Sequence, residues 1–150
     1  MITGFDHVGL VVQNVENQLN FYCELLGLEV EHEKDVFAPP TGDHTGIPDV
    51  HRKLIFLRNR SGVPMFELIY YVKPKSPSGH ALRHHQINGT HLCFKVKNLN
   101  KIYEDLVKRG VRFLTPPKQL TRPQGDTVCL AYAQDPEGNW IEFKEVLGDK

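Results

Sequence analysis

The feature that most constrains this chain is that it states one pattern twice. Residues 5–12, FDHVGLVV, are an apolar run with a histidine near its start; a polar QNVEN, an amphipathic ENQLNFYCELLGL and an extended EVEHE follow. From residue 90 the same order returns as THLCFKV, KNLN, KIYEDLVKRG and VRFLT. Setting His7 on His91 also sets Val12 on Val96, Asn14 on Asn98 and Val15 on Leu99, with a gap of one residue needed before Gly27 meets Gly110. Apolar recurrence at three and four residues predicts a helix in each copy. Its stripe is Leu19, Tyr22, Cys23 and Leu26 in the first and Ile102, Leu106 and Val107 in the second, and a glycine stops each helix.

The second halves of the copies agree as well. KLIFL, the turn RNRSGVP and MFELIYYV stand in the first, and TVCLAYA, QDPEGN and WIEFKEV in the second. Each reads as a β-hairpin whose Gly, Pro, Asn and Asp supply the turn chemistry. The expected fold is therefore α+β, with two βαβββ modules at about 5–72 and 90–146 and a polar, Pro/Gly-rich linker at 73–89. The second strand of each module comes from the less regular stretch before its hairpin. The modules are expected to form one domain over residues 1–150, since either alone would leave one sheet face bare.

Composition sets the class of partner. With 18 basic and 18 acidic side chains and no run of Lys and Arg, the chain has no electrostatic footprint for nucleic acid or an anionic membrane surface. No apolar run approaches the ~18 residues of a membrane span, and MITGFDHVGL lacks the basic and apolar regions of a signal peptide. A cytoplasmic protein acting on a small molecule is expected. Cys23, Cys93 and Cys129 are odd in number and form no CxxC, which predicts reduced, mostly buried thiols rather than disulfides or a cysteine zinc site.

Against this background four polar residues inside apolar strands stand out. His7 and His91 open the first strand of each module, and Glu67 and Glu142 lie in the last. A carboxylate inside MFELIYYV is costly unless something engages it, and WIEFKEV repeats the oddity at the equivalent place. Strand alternation turns Val8, Leu10 and Val12 to one face and His7, Gly9 and Val11 to the other; Leu92, Phe94 and Val96 likewise oppose His91, Cys93 and Lys95. Phe66 and Leu68 oppose Glu67, as Ile141 and Phe143 oppose Glu142. All four polar residues thus sit on faces turned from the helices. Two imidazoles and two carboxylates converging there would make a site for one divalent ion, Ni, Co, Zn, Mn or Fe, with water completing the shell.

HVGLVVQNVENQLNFYCELLGLEV and DPEGNWIEF, with the four residues in place, resemble the vicinal oxygen chelate superfamily over almost the whole chain. That group contains glyoxalase I, methylmalonyl-CoA epimerase, extradiol dioxygenases and fosfomycin- and bleomycin-resistance proteins. The resemblance implies modules curved into a cup with the metal on its concave side, His7, Glu67, His91 and Glu142 as ligands, and a homodimer. It also implies a lyase or isomerase of glyoxalase type, in which the metal chelates neighbouring substrate oxygens and stabilises an enolate while a glutamate, Glu142 or Glu67, moves a proton. Alternatives within the same resemblance are an Fe(II) extradiol-type dioxygenase and a non-catalytic binder of an antibiotic-like molecule.

The departures are specific. Glutathione-using glyoxalases carry Asn four residues after the second ligand and Arg four before the third, where this chain has Tyr71 and Ile87; methylmalonyl-CoA epimerases typically have Gln where it has Glu67. Lys95 and Cys93, on the His91 face, are expected to meet substrate. Two long Pro/Gly-rich segments, 35–51 and 114–127, are expected to shape substrate choice, with Arg122 or Lys118 available to a substrate carboxylate or phosphate. His84 and His85 are expected to be plain surface residues, and His32, His44, His51 and His80 have no partner at a useful spacing.

Overall fold

The aligned asparagines begin both helices, and each helix is capped differently. The Asn14 side chain accepts the Asn17 N–H at 2.9 Å and opens α1, Val15–Leu19. Asn98, in the left-handed region at φ 59°, makes no side-chain cap to α2, Leu99–Lys108. There the Glu145 carboxylate accepts the N–H groups of Asn98 and Leu99 at 2.7 and 3.0 Å, placing a negative charge at the positive end of the helix. The structure is a computed structural model describing residues 1–79 and 82–148, so His80 lies outside the described residues.

The gap between the copies has a structural counterpart. One more residue separates Asn14 from Gly27 than Asn98 from Gly110. A π-helical segment, Asn20–Leu25, follows α1 and takes it up, with Leu26 N–H bonding Phe21 O five residues back at 3.1 Å. This rotation moves the buried stripe: Gln18, Phe21 and Tyr22 are buried, while Leu19, Cys23 and Leu26 are half-buried. In α2 the stripe is Leu99 and Leu106, and Val107, expected to be inside, is exposed. Gly27 and Gly110, at φ 77° and 87°, end the helices as expected.

The chain divides into two compact units, Met1–Gly79 and His80–Lys150. The first contains β1 (Gly9–Val12), β2 (Glu29–Phe37), β3 (His51–Arg58) and β4 (Pro64–Lys73), in the order β1-β4-β3-β2. The second contains β5 (His91–Lys95), β6 (Lys118–Thr121), β7 (Thr127–Gln134) and β8 (Trp140–Leu147), in the order β5-β8-β7-β6. In each sheet the first strand runs parallel to the last and the other pairs are antiparallel. These are two βαβββ modules.

Three local expectations are corrected. The second strand of the first unit is longer than the extended EVEHE, running nine residues from Glu29 to Phe37 as an exposed edge strand whose pairing with β3 shifts register between Val30 and His32. VRFLT is not a strand: Phe113 makes one isolated bridge to Ala133, and Pro116 and Pro117, lacking N–H groups, delay the edge strand to Lys118. Segment 114–127 therefore contains β6 instead of being all loop. Both hairpin turns are held by side chains. Asn59 Oδ1 accepts from Ser61 and Val63 N–H, and Asp135 Oδ1 accepts from Glu137 and Asn139 N–H.

Each unit buries one face of its sheet. In the first, Ile55, Leu57, Phe66 and Leu68 lie under the helix, with Tyr22 edge-on to Phe66 at 4.8 Å between ring centroids. In the second, Cys129, Ala131, Ala133, Ile141 and Phe143 are buried with Leu99 and Leu106. The cysteines are free, but only Cys129 is buried; Cys23 is half-buried and Cys93 exposed on the opposite face. Among the described residues no helix is long and apolar enough to cross a membrane.

Candidate metal centre

The opposite face of each sheet is built by register. In the first unit Gly9 stands beside Glu67 across the parallel β1–β4 pair, and His7, two residues earlier, is on the same face. His7 Nε2 lies 3.4 Å from Glu67 Oε1. In the second unit Cys93 stands beside Glu142 across β5–β8, and His91 Nε2 lies 3.0 Å from Glu142 Oε2. The environments match: the side chains of His7 and His91 are 44% and 43% exposed, and those of Glu67 and Glu142 are 12% and 14% exposed. Each repeat thus shelters a carboxylate and presents an imidazole beside it.

These spacings suit a shared cation. Ligands about 2.1 Å from a first-row ion stand about 3.0 Å apart at octahedral angles and about 3.4 Å apart at tetrahedral ones. Each pair supplies one imidazole nitrogen and one carboxylate oxygen at such an edge. Asp6 Oδ2 engages His7 Nδ1, directing Nε2 toward Glu67. This hydrogen bond, with the charges of Glu67 and Asp6, raises the His7 pKa against the lowering effect of burial. Among the described residues, no group of three or more His, Cys, Asp and Glu side chains stands together in metal-holding geometry. Each unit therefore carries a two-ligand half set.

The two carboxylates differ in their company. Glu142 has the Cys93 thiol and the Tyr132 hydroxyl as hydrogen-bonding neighbours, and Tyr132 stacks edge-on against His91 at 5.4 Å. Partial desolvation and the Glu142 charge push the Cys93 pKa up to about 11, so this thiol stays protonated at neutral pH. Burial, and then Glu142, raises the Tyr132 pKa also. In the first unit Gly9 and Phe56 occupy the places of Cys93 and Tyr132, and neither side chain offers Glu67 a donor.

A profile of the Glyoxalase/Bleomycin resistance protein/Dioxygenase superfamily matches residues 4–143. The chain belongs to that superfamily. It is similar to the mitochondrial methylmalonyl-CoA epimerase of Homo sapiens, 26% identical over 141 residues, covering 93% of this chain and 72% of that protein. Its fold matches a glyoxalase family protein from Bacillus cereus with TM-score 0.80 at 21% identity, over 99% of this chain and 97% of that one. It also matches the trypanothione-dependent glyoxalase I of Leishmania major with TM-score 0.61 at 22% identity, over 93% and 84%.

Within this superfamily chain the remaining candidates divide. Lys95 and Cys93 share the face of His91 and Glu142. Arg122 is held at the end of β6 by Asp126, which its Nε meets at 3.0 Å and its Nη2 also contacts. Several histidines set aside in the sequence have partners. His51 Nε2 meets Asp35 Oδ1 at 2.6 Å and stacks on Phe37, and His32 stacks on Phe56 at 4.2 Å. His44 and Asp43 both engage Arg52 Nη2, at 3.2 and 2.9 Å. His84 rests against Tyr132 and Trp140, while the Trp140 indole N–H donates to Leu82 O at 2.6 Å, so the segment before β5 crosses the face of its own unit that carries His91 and Glu142.

Tyr132 and buried Arg52 are the residues that sequence reasoning missed. Tyr132 was accessible to it: once the DPEGN turn is fixed, antiparallel register places this residue opposite Glu142. Arg52 carried no such signal, because its partners come from a loop.

Proposed function

We propose that this chain is a divalent-metal-dependent lyase or isomerase of glyoxalase type, with His7, Glu67, His91 and Glu142 as the ligands of one ion. The observation that supports it is the recurrence, in both repeats, of a sheltered carboxylate beside an exposed imidazole at ligand-edge spacing. Bound there, the ion would supply Lewis-acid stabilisation of the substrate's neighbouring oxygens as negative charge develops on them.

The protein's own groups do the rest. His7 and His91 present Nε2 toward the carboxylates, and Asp6 fixes the His7 ring. Tyr132 and Cys93 donate toward Glu142 and hold it in place. Glu67, whose one side-chain ionic partner among the described residues is His7, is the freer carboxylate. We assign it the transfer in which an Oε atom takes a proton from a substrate carbon and returns it at the same or the adjacent carbon.

The test is metal content. Protein purified without chelator, or stripped and offered Ni, Co, Mn, Zn or Fe(II), is expected to hold one ion per chain by elemental analysis, and His7→Ala and Glu142→Gln to weaken uptake severely. A wild type that takes up none of these ions overturns the proposal. Tight binding of a drug-like compound, unchanged by chelator and by His7→Ala, would instead establish a non-catalytic binder.

A further inference from the structure

The parallel edge of the first sheet ends unevenly. β1 stops at Val12, which pairs with Tyr70, whereas β4 runs on three residues to Lys73. The chain then turns at Pro74 and Lys75, and the Gln13 side-chain Nε2 donates to Pro77 O at 3.1 Å, tying the returning segment to the end of β1. Between them lies a pocket of about 160 Å³ lined by Val12, Gln13, Tyr70, Tyr71, Lys75 and Ser76. Tyr70 and Tyr71 turn to opposite faces of β4, so a pocket that both line opens at the edge of the sheet. Tyr71 is four residues past Glu67, about 13 Å along the strand, and the pocket is distinct from the His7–Glu67 pair.

The polar groups lining this pocket lack partners. Among the described residues the Tyr70, Tyr71 and Ser76 hydroxyls make no hydrogen bond and the Lys75 ammonium makes no ion pair. All three hydroxyl residues are half-buried, which limits what water can do for them. Residues 70–79, YYVKPKSPSG, hold two lysines and no acid, and no carboxylate lines the pocket. Hydroxyl and ammonium donors gathered without an acceptor suit an anion.

The second repeat shows what fits at this place. Matching Val12 to Val96 and Glu67 to Glu142 sets Tyr70 on Glu145. The Glu145 carboxylate lies just past the end of β5, where it accepts the Asn98 and Leu99 N–H groups at 2.7 and 3.0 Å. The second sheet thus has an oxyanion built into its edge by its own chain. The first has a neutral phenol at the equivalent position and the Lys75 ammonium beside it.

We propose that the pocket at the end of β1 binds a compact oxyanion, the phosphate or carboxylate group of a small ligand, with Lys75 as its counter-ion and the Ser76 and Tyr70 hydroxyls as donors. The volume is that of about five waters at ~30 Å³ each, room for one such group and not for a nucleotide or an acyl chain. A bound anion joins the turn at Lys75 and Ser76 to the edge of the sheet, adding to the Gln13–Pro77 tie. The site goes beyond the metal-dependent reading and does not depend on it.

The test is an anion titration of chelator-treated protein, in which no metal ion can take the anion. Inorganic phosphate, and separately acetate, at low and constant ionic strength should each be read by amide shifts, and saturable shifts confined to residues 12–13, 70–71 and 75–76 are expected. Lys75→Ala should weaken the tighter of the two about tenfold or more, and Lys75→Arg should keep it within about threefold of wild type. Lys73→Ala removes the same charge two residues away and outside the pocket, and should leave binding within about twofold. Tyr70→Glu, which gives the first repeat the carboxylate of the second, should abolish it. The absence of saturable shifts with both anions, wild-type binding in Lys75→Ala, an equal loss in Lys73→Ala, or binding that survives in a folded Tyr70→Glu each overturns the proposal. Lys75 is exposed, so Lys75→Ala is expected to melt with wild type and decides the matter even if Tyr70→Glu does not fold. Whichever of phosphate and acetate binds more tightly identifies the group.

Discussion

Gly9 offers a way to perturb the His7–Glu67 pair, proposed above as metal ligands, while leaving the fold intact. Its backbone is not in the left-handed region, so it is required by space rather than by φ. A Cβ built on it would stand 2.9 Å from Ile69 Cδ1 and 3.2 Å from Glu67 Oε1. The Ile69 methyl is the end of a flexible chain, and pushing it off its rotamer costs about 0.5–1.5 kcal/mol. Replacing glycine by alanine removes freedom from the unfolded chain and returns about 0.4–1 kcal/mol. The two nearly cancel, leaving between about 0.5 kcal/mol of stabilisation and about 1 kcal/mol of destabilisation. The Glu67 oxygen, by contrast, must move by a few tenths of an ångström, more than the ~0.2 Å tolerance of a metal–ligand bond. Gly9→Ala is therefore expected to melt within a few degrees of wild type in chelator while binding cobalt at least about tenfold more weakly. Denaturation followed by circular dichroism and a cobalt titration followed in the visible would read both. Wild-type cobalt affinity in a well-folded Gly9→Ala would refute the placement of Glu67 among the ligands, and gross unfolding would refute the stability argument.

Two further outcomes concern the framework. Leu68, wholly buried behind Glu67, is expected to cost about 2–5 kcal/mol when truncated to alanine, seen as a lower denaturant midpoint at unchanged slope. Hydrogen bonds from Thr45, then the charges of Arg52 and His44, lower the Asp43 pKa. A carboxylate with a depressed folded-state pKa stabilises above its unfolded pKa and loses that contribution as pH falls through the folded one. Segment 38–50 should accordingly stay anchored to Arg52 at neutral pH and loosen only below about pH 4, as amide shifts of residues 43–46 would show; loosening well above that would refute the anchoring role of Asp43.

The legible parts of the molecule were those governed by short-range periodicity. The two βαβββ modules, the glycine helix stops and the opposition of Glu67 to Leu68 all follow from alternation and repeat matching. The edge strands were not legible, because β2 and β6 have one partner each and mix charged with apolar residues on both faces, which blurs their period. The shift of the first helix's buried stripe to Gln18 and Phe21 also escaped, since a π-helical turn replaces the spacing assumed in reading it. The Arg52–Asp43 contact, the capping of α2 by Glu145 and the placing of His84 on Tyr132 join residues far apart or in loops. Such pairings are set by tertiary folding and leave no periodic trace.

Comparison of equivalent positions explains how one module, used twice, becomes asymmetric without changing its frame. The His–Glu pair is fixed by one register relation, His two residues before the partner of Glu, and it holds in both sheets. Other positions on the same face lie outside that register relation. Gly9 against Cys93, Phe56 against Tyr132, and Val11 with Ile69 against Lys95 with Lys144 are all substitutions of this kind. Each lies on the face of the carboxylates, so each alters the chemistry around one of them. Beyond its histidine, the first unit thereby sets Gly9, Phe56, Val11 and Ile69 around its glutamate, where the second sets donors and cations around its own. An ionic substrate group is stabilised by the second environment and penalised by the first. Polarity, then, is set by the residues around the ligands, and exchanging Lys144 and Ile69 between the two frames would be expected to exchange it.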